Sequence, residues 1–252
     1  MGIRVISILL LMLFIGSCKW WFEAETEGEV LVKPLEDIKV VATRAVEEVS
    51  KATGRSAAEV KALSKEDLDK FALDAKSSAD ATFEITKDSK NNKKKSEFID
   101  EIKKSAGKLD LAFKSLVGAG YTGPIAGPVI SNIESALKNL ELAKKLAEMA
   151  ESGNPNTLED AKKAVQALGG NTGSCVSNLS SKNGYSEPVK NGLNDCVKNL
   201  MDRVNSNFER GVRDQLYNDN LKDVPPKFKD AFDTLRVAAH SMSQAASKVQ
   251  FK

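Results

Sequence analysis

The chain has 252 residues, with 37 Lys and Arg against 35 Asp and Glu and a formal net charge of +2. Charges that nearly cancel and mix along the chain give no strong global field, which argues against a protein built to capture DNA or RNA. The length is enough for a core that needs no metal or cross-link to hold it. One histidine in the whole sequence leaves no His-rich metal site and no Ser-His-Asp triad to look for.

Met1 to Arg4 is a short positive stretch, and Val5 to Ile15 is an apolar run interrupted only by Ser7. Gly16 and Ser17 place small residues just before Cys18. This is the n-region, h-region and cleavage layout of a secretory signal. The run is shorter than the roughly 20 residues needed to cross a hydrocarbon core of about 30 Å, so residues 1–17 read as a removable signal peptide.

Ile15-Gly16-Ser17-Cys18 resembles a bacterial lipobox. The resemblance implies that the Cys18 thiol receives a diacylglycerol and becomes the mature N-terminus. Ile15 stands where the common box has Leu, and with Ser17 it is similar to the relaxed boxes of spirochaetal lipoproteins. The alternative is an ordinary signal peptide followed by a chance cysteine. Each buried methylene of an acyl chain contributes about 0.8 kcal/mol, and two or more chains anchor stably. Trp20, Trp21 and Phe22 follow, either as rings in the headgroup zone or as the first turn of the core. Residues 18–34, with Glu23, Glu25, Glu27 and Glu29, read as the lipidated cysteine and a short acidic tether, reaching about 3.3 Å per residue if extended.

From residue 35 to 252 apolar residues recur at helical spacing, and no stretch alternates as a half-buried strand does. The first helix is predicted from about Leu35 to Thr53, with Ile38, Val41, Ala42, Ala45 and Val49 inward and Gly54 as its stop. Ser56 with Glu59, and Ser64 with Asp67, are successive capping boxes. They open a short helix and then a longer one to about Thr86, burying Leu68, Phe71, Ala75, Ala79 and Phe83. The polar run from Lys87 to Lys95 breaks the pattern. Phe98, Ile99, Ile102, Leu109, Phe113 and Leu116 then mark another helix.

Gly118 to Pro128 reads as an interhelical turn. Gly118, Gly120 and Gly123 have the spacing of a dinucleotide-binding loop, but that motif requires a preceding strand. Val129 to Ala150 continues as a helix stopped by Gly153-Asn154-Pro155. Thr157 with Asp160 opens a helix to Leu168, and Gly169 to Asn183 is expected as a long loop holding Cys175. Ser186 starts a helix carrying Val189, Leu193, Cys196, Val197, Leu200, Val204 and Phe208. After Pro225-Pro226 the last helix presents Phe228, Phe232, Leu235, Ala239, Met242, Ala246 and Val249 on one face. The expectation is an all-α, antiparallel bundle of about six to seven helices in a single domain.

With Cys18 committed to lipid, Cys175 and Cys196 are the disulfide candidates of an exported chain. A bridge between them would contribute roughly 3 kcal/mol on the chain-entropy model. A catalytic thiol would need a base, and His240 is predicted to lie off the apolar stripe, in solvent. Acidic residues fall on polar faces beside lysines, no metal or cofactor is implied, and a non-enzymatic protein is expected. Lys87, Lys90, Lys93, Lys94 and Lys95, followed by Lys103, Lys104 and Lys108, form the densest basic run. It is either a patch for sulfated glycans and other anionic partners or a solvated surface.

The relaxed box, the Ser-Cys-Lys junction and the helical body containing Lys and Asn are similar to Borrelia-type outer surface lipoproteins. That resemblance implies a lipoprotein anchored in the outer membrane and exposed at the cell surface. It would bind host extracellular or serum proteins or glycans, serving adhesion or immune evasion. The alternative is a periplasm-facing structural or assembly lipoprotein of the envelope.

Overall fold

The computed structural model describes residues 27–87, 93–155, 157–169, 173–180, 186–218 and 224–249. The signal peptide, Cys18 and the first part of the tether lie outside the described residues. The chain divides into two units, Met1–Val41 and Ala42–Lys252. Of the first, only the N-terminal stretch of helix α1 is described, and the second is the bundle.

Every described element is helical. The helices are α1 (Glu27–Thr53), α2 (Ala57–Lys61), α3 (Lys65–Lys87), α4 (Lys95–Gly118), α5 (Ala126–Ser152), α6 (Leu158–Ala167) and α7 (Gly173–Ser180). They continue with α8 (Ser186–Phe208), a π-helical stretch (Glu209–Arg213), α9 (Asp214–Asn218) and α10 (Pro226–Lys248). An all-helical bundle is what the spacing predicted.

Two stretches differ from expectation. The tether was expected to reach residue 34, yet residues 27–34 belong to α1 and Pro34 lies inside the helix. Proline forfeits its own amide hydrogen bond, and here that loss does not set the helix boundary. The expected loop from 169 to 183 contains α7. Cys175 and Leu179 sit four residues apart and both are buried, a one-sided pattern hidden by the Gly, Ser and Asn residues around it.

The capping signals hold. The Ser56 hydroxyl accepts from the Glu59 amide, and the Glu59 carboxylate accepts from the Ser56 amide at 2.7 Å. Ser64 and Asp67 form the same reciprocal pair, and Thr157 accepts from the Asp160 amide. Helix α4 has no side-chain cap from Lys94. Instead Glu151, at the end of α5, accepts from the Ser96 amide at 3.0 Å and the Ser96 hydroxyl at 2.6 Å. A carboxylate at a helix N-terminus satisfies unpaired amides and complements the dipole.

Pair contacts give the directions. Lys108 meets Asp74 and Ser105 meets Ser78 and Thr82, so α4 runs antiparallel to α3. Lys103 meets Glu141, Lys144 meets Asp100 and Lys114 meets Glu134, so α5 runs antiparallel to α4. Lys65 meets Asp230 at 2.6 Å, and Ser241 donates to Asp80 at 2.6 Å, so α10 runs parallel to α3. Their facing sides are alanine-rich, with Ala72, Ala75 and Ala79 against Ala231, Ala238 and Ala245 buried. Small side chains let the two backbones approach closely.

The centre of the bundle is aromatic. Tyr121 lies edge-on to Phe232 with centroids 4.7 Å apart, to Phe228 at 5.8 Å and to Phe113 at 6.4 Å. Burying each such ring contributes roughly 1.5–3 kcal/mol, and the edge-to-face geometry adds to it. The Gly118–Pro128 segment is thus the turn that inserts Tyr121 into the core, with Gly120 at φ 103° where other residues would be strained.

Candidate functional site

Two clusters of charge stand out, and they differ in kind. The first joins α1, α4 and α5. Lys114, with a side chain only 4 % exposed, pairs with Glu48, with Asp110 at 2.8 Å and with Glu134 at 3.1 Å. Arg44 bridges two of the same carboxylates, Glu48 and Glu134, both at 2.8 Å. Burial alone would lower the Lys114 pKa, but its hydrogen bonds to Asp110 and Glu48 hold it raised. Burial pushes Asp110 up in spite of Lys114. Lys114 lies in the stretch Ala112–Gly118, which is buried all round the helix, and this is why its ammonium has carboxylates rather than water around it. The arrangement fixes three helices together.

The second cluster is open. Where α8 passes into the π-helical stretch and α9, it runs antiparallel to α10, and a groove of about 590 Å³ is lined by Arg213, Asp214, Tyr217, Arg236, Val237 and His240. Tyr217 is 65 % and Val237 41 % exposed, large apolar surface that the fold does not cover. The Arg236 guanidinium sits 5.4 Å from the Tyr217 ring centroid, with a carboxylate of Asp233 at 3.5 Å. Arg213 pairs with Glu209 and, at 2.8 Å, with Asp214. A π-helical insertion widens one turn and re-aims its side chains, and such insertions recur at functional positions.

His240, expected in solvent, is half-exposed and enclosed in this network. Its Nδ1 lies 3.4 Å from Glu209 Oε2 and 3.4 Å from Arg213 Nη1, and its Nε2 lies 3.1 Å from the Gln244 amide nitrogen. The sequence placed it off the apolar stripe of α10. It gave no sign that Glu209 and Arg213 approach from another helix.

Among the described residues, four lysines of the run are paired with carboxylates. Lys103 pairs with Glu141, Lys104 with Asp100 at 3.2 Å, Lys108 with Asp74 at 3.1 Å and Lys87 with Glu84 at 3.8 Å. Lys95 donates to Asn194 at 3.0 Å, and burial lowers its pKa. Lys93 and Lys94 are exposed; Lys90 lies outside the described residues. Cys175 and Cys196 are both buried, on adjacent helices.

Among the described residues no group of His, Cys, Asp and Glu is placed to hold a metal ion. None of their helices is long and apolar enough to cross a membrane. No protein family, curated protein or solved structure matches the chain.

Proposed function

We propose that the protein is a lipid-anchored, non-enzymatic binding module at the outer surface of the cell, holding a host protein or glycan in adhesion or immune evasion. The observation that carries this reading is the uncovered groove: Tyr217 and Val237 exposed beside Arg213, Arg236 and His240. Tyr and Arg are the residue types that dominate binding energy at interfaces, because each pairs a broad contact surface with hydrogen-bond donors. The lipobox-like Ile15-Gly16-Ser17-Cys18 supports the anchor, and acyl chains on Cys18 would keep the bundle at the membrane.

Binding of immobilised serum proteins, matrix proteins and heparin to the wild-type chain tests the module. The reading expects one of them to bind and the double change Tyr217→Ala, Arg236→Ala to lower its affinity at least tenfold. Loss instead on Lys93→Glu with Lys94→Glu would move the site to the lysine run. Unchanged binding in both variants would remove both surfaces. The anchor is tested by labelling cells with radioactive palmitate, which should enter the wild-type protein and not Cys18→Ala.

A further inference from the structure

Helices α7 and α8 pack directly on each other, and one contact fixes their register. A Cβ added to Gly192 would stand 2.7 Å from Leu179 Cδ2, so Leu179 rests on the bare backbone of α8. Four residues before Leu179 is Cys175, and four after Gly192 is Cys196. Residues four apart share a helix face, so an antiparallel pair that seats Leu179 on Gly192 carries Cys175 to Cys196. Both cysteines are buried, at 1 % and 0 % exposure, as thiols in near contact.

We propose that in the exported protein Cys175 and Cys196 are joined by an intramolecular disulfide that closes the flank made of α6 and α7 onto α8. Among the described residues its buried side chains are Ala161, Val165, Cys175 and Leu179, a small apolar area, and α6 packs on α7 and α8. A covalent link matters most where the apolar contact area is small.

The reaction needs a two-electron oxidant, and a disulfide supplies it. One cysteine thiolate attacks a sulfur of the oxidant disulfide, forming a mixed disulfide and releasing one oxidant thiolate. The second cysteine thiolate attacks the cysteine sulfur of that mixed disulfide, forming the Sγ–Sγ bond and releasing the second thiolate. The two cysteine protons end on the two released thiols. Because both sulfurs are buried, attack requires the flank to open, so mild denaturant should speed the reaction.

The bond in the cell rests on the export reading, which supplies the oxidising compartment, whereas the pairing geometry does not. Full-length chain carrying Cys18→Ala, made in a reducing cell-free system, is incubated with oxidised glutathione, quenched with an alkylating agent and digested with trypsin. Cleavage after Lys163, Lys182, Lys190 and Lys198 puts the two cysteines on separate peptides, Ala164–Lys182 and Asn191–Lys198. The expected product is these two peptides linked, parting on reduction. Two separately alkylated or glutathionylated peptides would overturn the pairing. Gly192→Leu, which displaces Leu179 and takes the two sulfurs out of register, should lower the ratio of linked to glutathionylated peptide at least tenfold however fast the first attack becomes, while Gly107→Ala, with open space at its Cβ, should leave that ratio unchanged. Equal ratios in wild type and Gly192→Leu would overturn the register. The same map on protein from its own cells should show the linked peptide. Thiols there, with linking in vitro, would overturn the disulfide in the cell and the export reading, leaving the geometry standing.

Discussion

Lys114 and Arg236 are both cations on long helices of the bundle, and their surroundings are opposite. Lys114 is almost wholly enclosed and spends its charge on three carboxylates from α1, α4 and α5. Arg236 is 31 % exposed, has one carboxylate among the described residues, Asp233 at 3.5 Å, and lies over an exposed tyrosine. A buried cation without partners would cost several kcal/mol, so the first cluster is committed to holding the fold. The second leaves guanidinium donors and aromatic surface facing outward, where the proposed binding reading puts the partner. The contrast separates charge that builds from charge available to a partner.

The sharpest break in that contrast is Lys114→Ala. It strands Asp110 beside a cavity and leaves Glu48 and Glu134 with Arg44 alone, and losing one member of a buried ionic group costs about 3–5 kcal/mol. Urea unfolding should show that loss, and a change within about 0.5 kcal/mol, as surface substitutions give, would deny the cluster its structural part. Gly118→Leu comes next. Its Cβ would meet Val60 Cγ1 at 2.9 Å and Val46 Cγ2 at 3.4 Å, and overpacking of this kind costs about 1–3 kcal/mol, read from the same unfolding curves.

Acid separates the members of the first cluster. The Asp110 carboxyl is raised by burial, so its contribution to stability is present below the unfolded-state pKa and is lost as pH rises through the folded value. Glu48 runs the other way: burial raises it, but hydrogen bonds from Lys114 and Arg44 outweigh that and hold it low. Asp100, outside that cluster, is held low chiefly by Lys144. Their contributions are present above the unfolded values and are lost as pH falls through the folded ones. Asp110 therefore offsets part of the acid loss, and Asp110→Asn should steepen the fall in stability below about pH 5. Urea midpoints across a pH series check it, and an unchanged slope would contradict the assignment.

At the groove the expected stability effects are the smallest. Tyr217→Ala should leave unfolding within about 0.5 kcal/mol of wild type, as exposed positions do, while weakening the binding described above. A variant that loses both would make Tyr217 part of the framework. Lys103→Ala, which breaks an exposed pair with Glu141, should likewise stay within about 1 kcal/mol.

Much of the framework is legible in the sequence. The pairs Ser56 with Glu59, Ser64 with Asp67 and Thr157 with Asp160 announced helix starts because the cap is a local interaction. All seven residues of the stripe from Phe228 to Val249 are buried because burial follows helical spacing, and Ala231, Ala238 and Ala245 widen it beyond what the spacing marked. What escaped depended on other elements. Lys114 sits at i+4 from Asp110 and is flanked in sequence by Phe113 and Leu116, the one available signal of a buried ion group. Its other partners, Glu48 and Glu134, lie far off in sequence. His240 was placed by its own helix alone, and its neighbours Glu209 and Arg213 come from the π-helical stretch, which no spacing rule foretells. The direction of α10, parallel to α3, follows only from the order in which the helices stack. Lys103, Lys104 and Lys108 looked like part of one basic run because their acidic partners lie elsewhere along the chain or within the same helix.

The measurement closest to the central claim is protease treatment of intact cells, followed by blotting for the bundle beside a known periplasmic protein. A surface-anchored binding module predicts that the bundle is digested while the periplasmic control survives. Survival of the bundle until the outer envelope is broken would contradict it and turn the groove at Tyr217 and Arg236 toward an envelope partner.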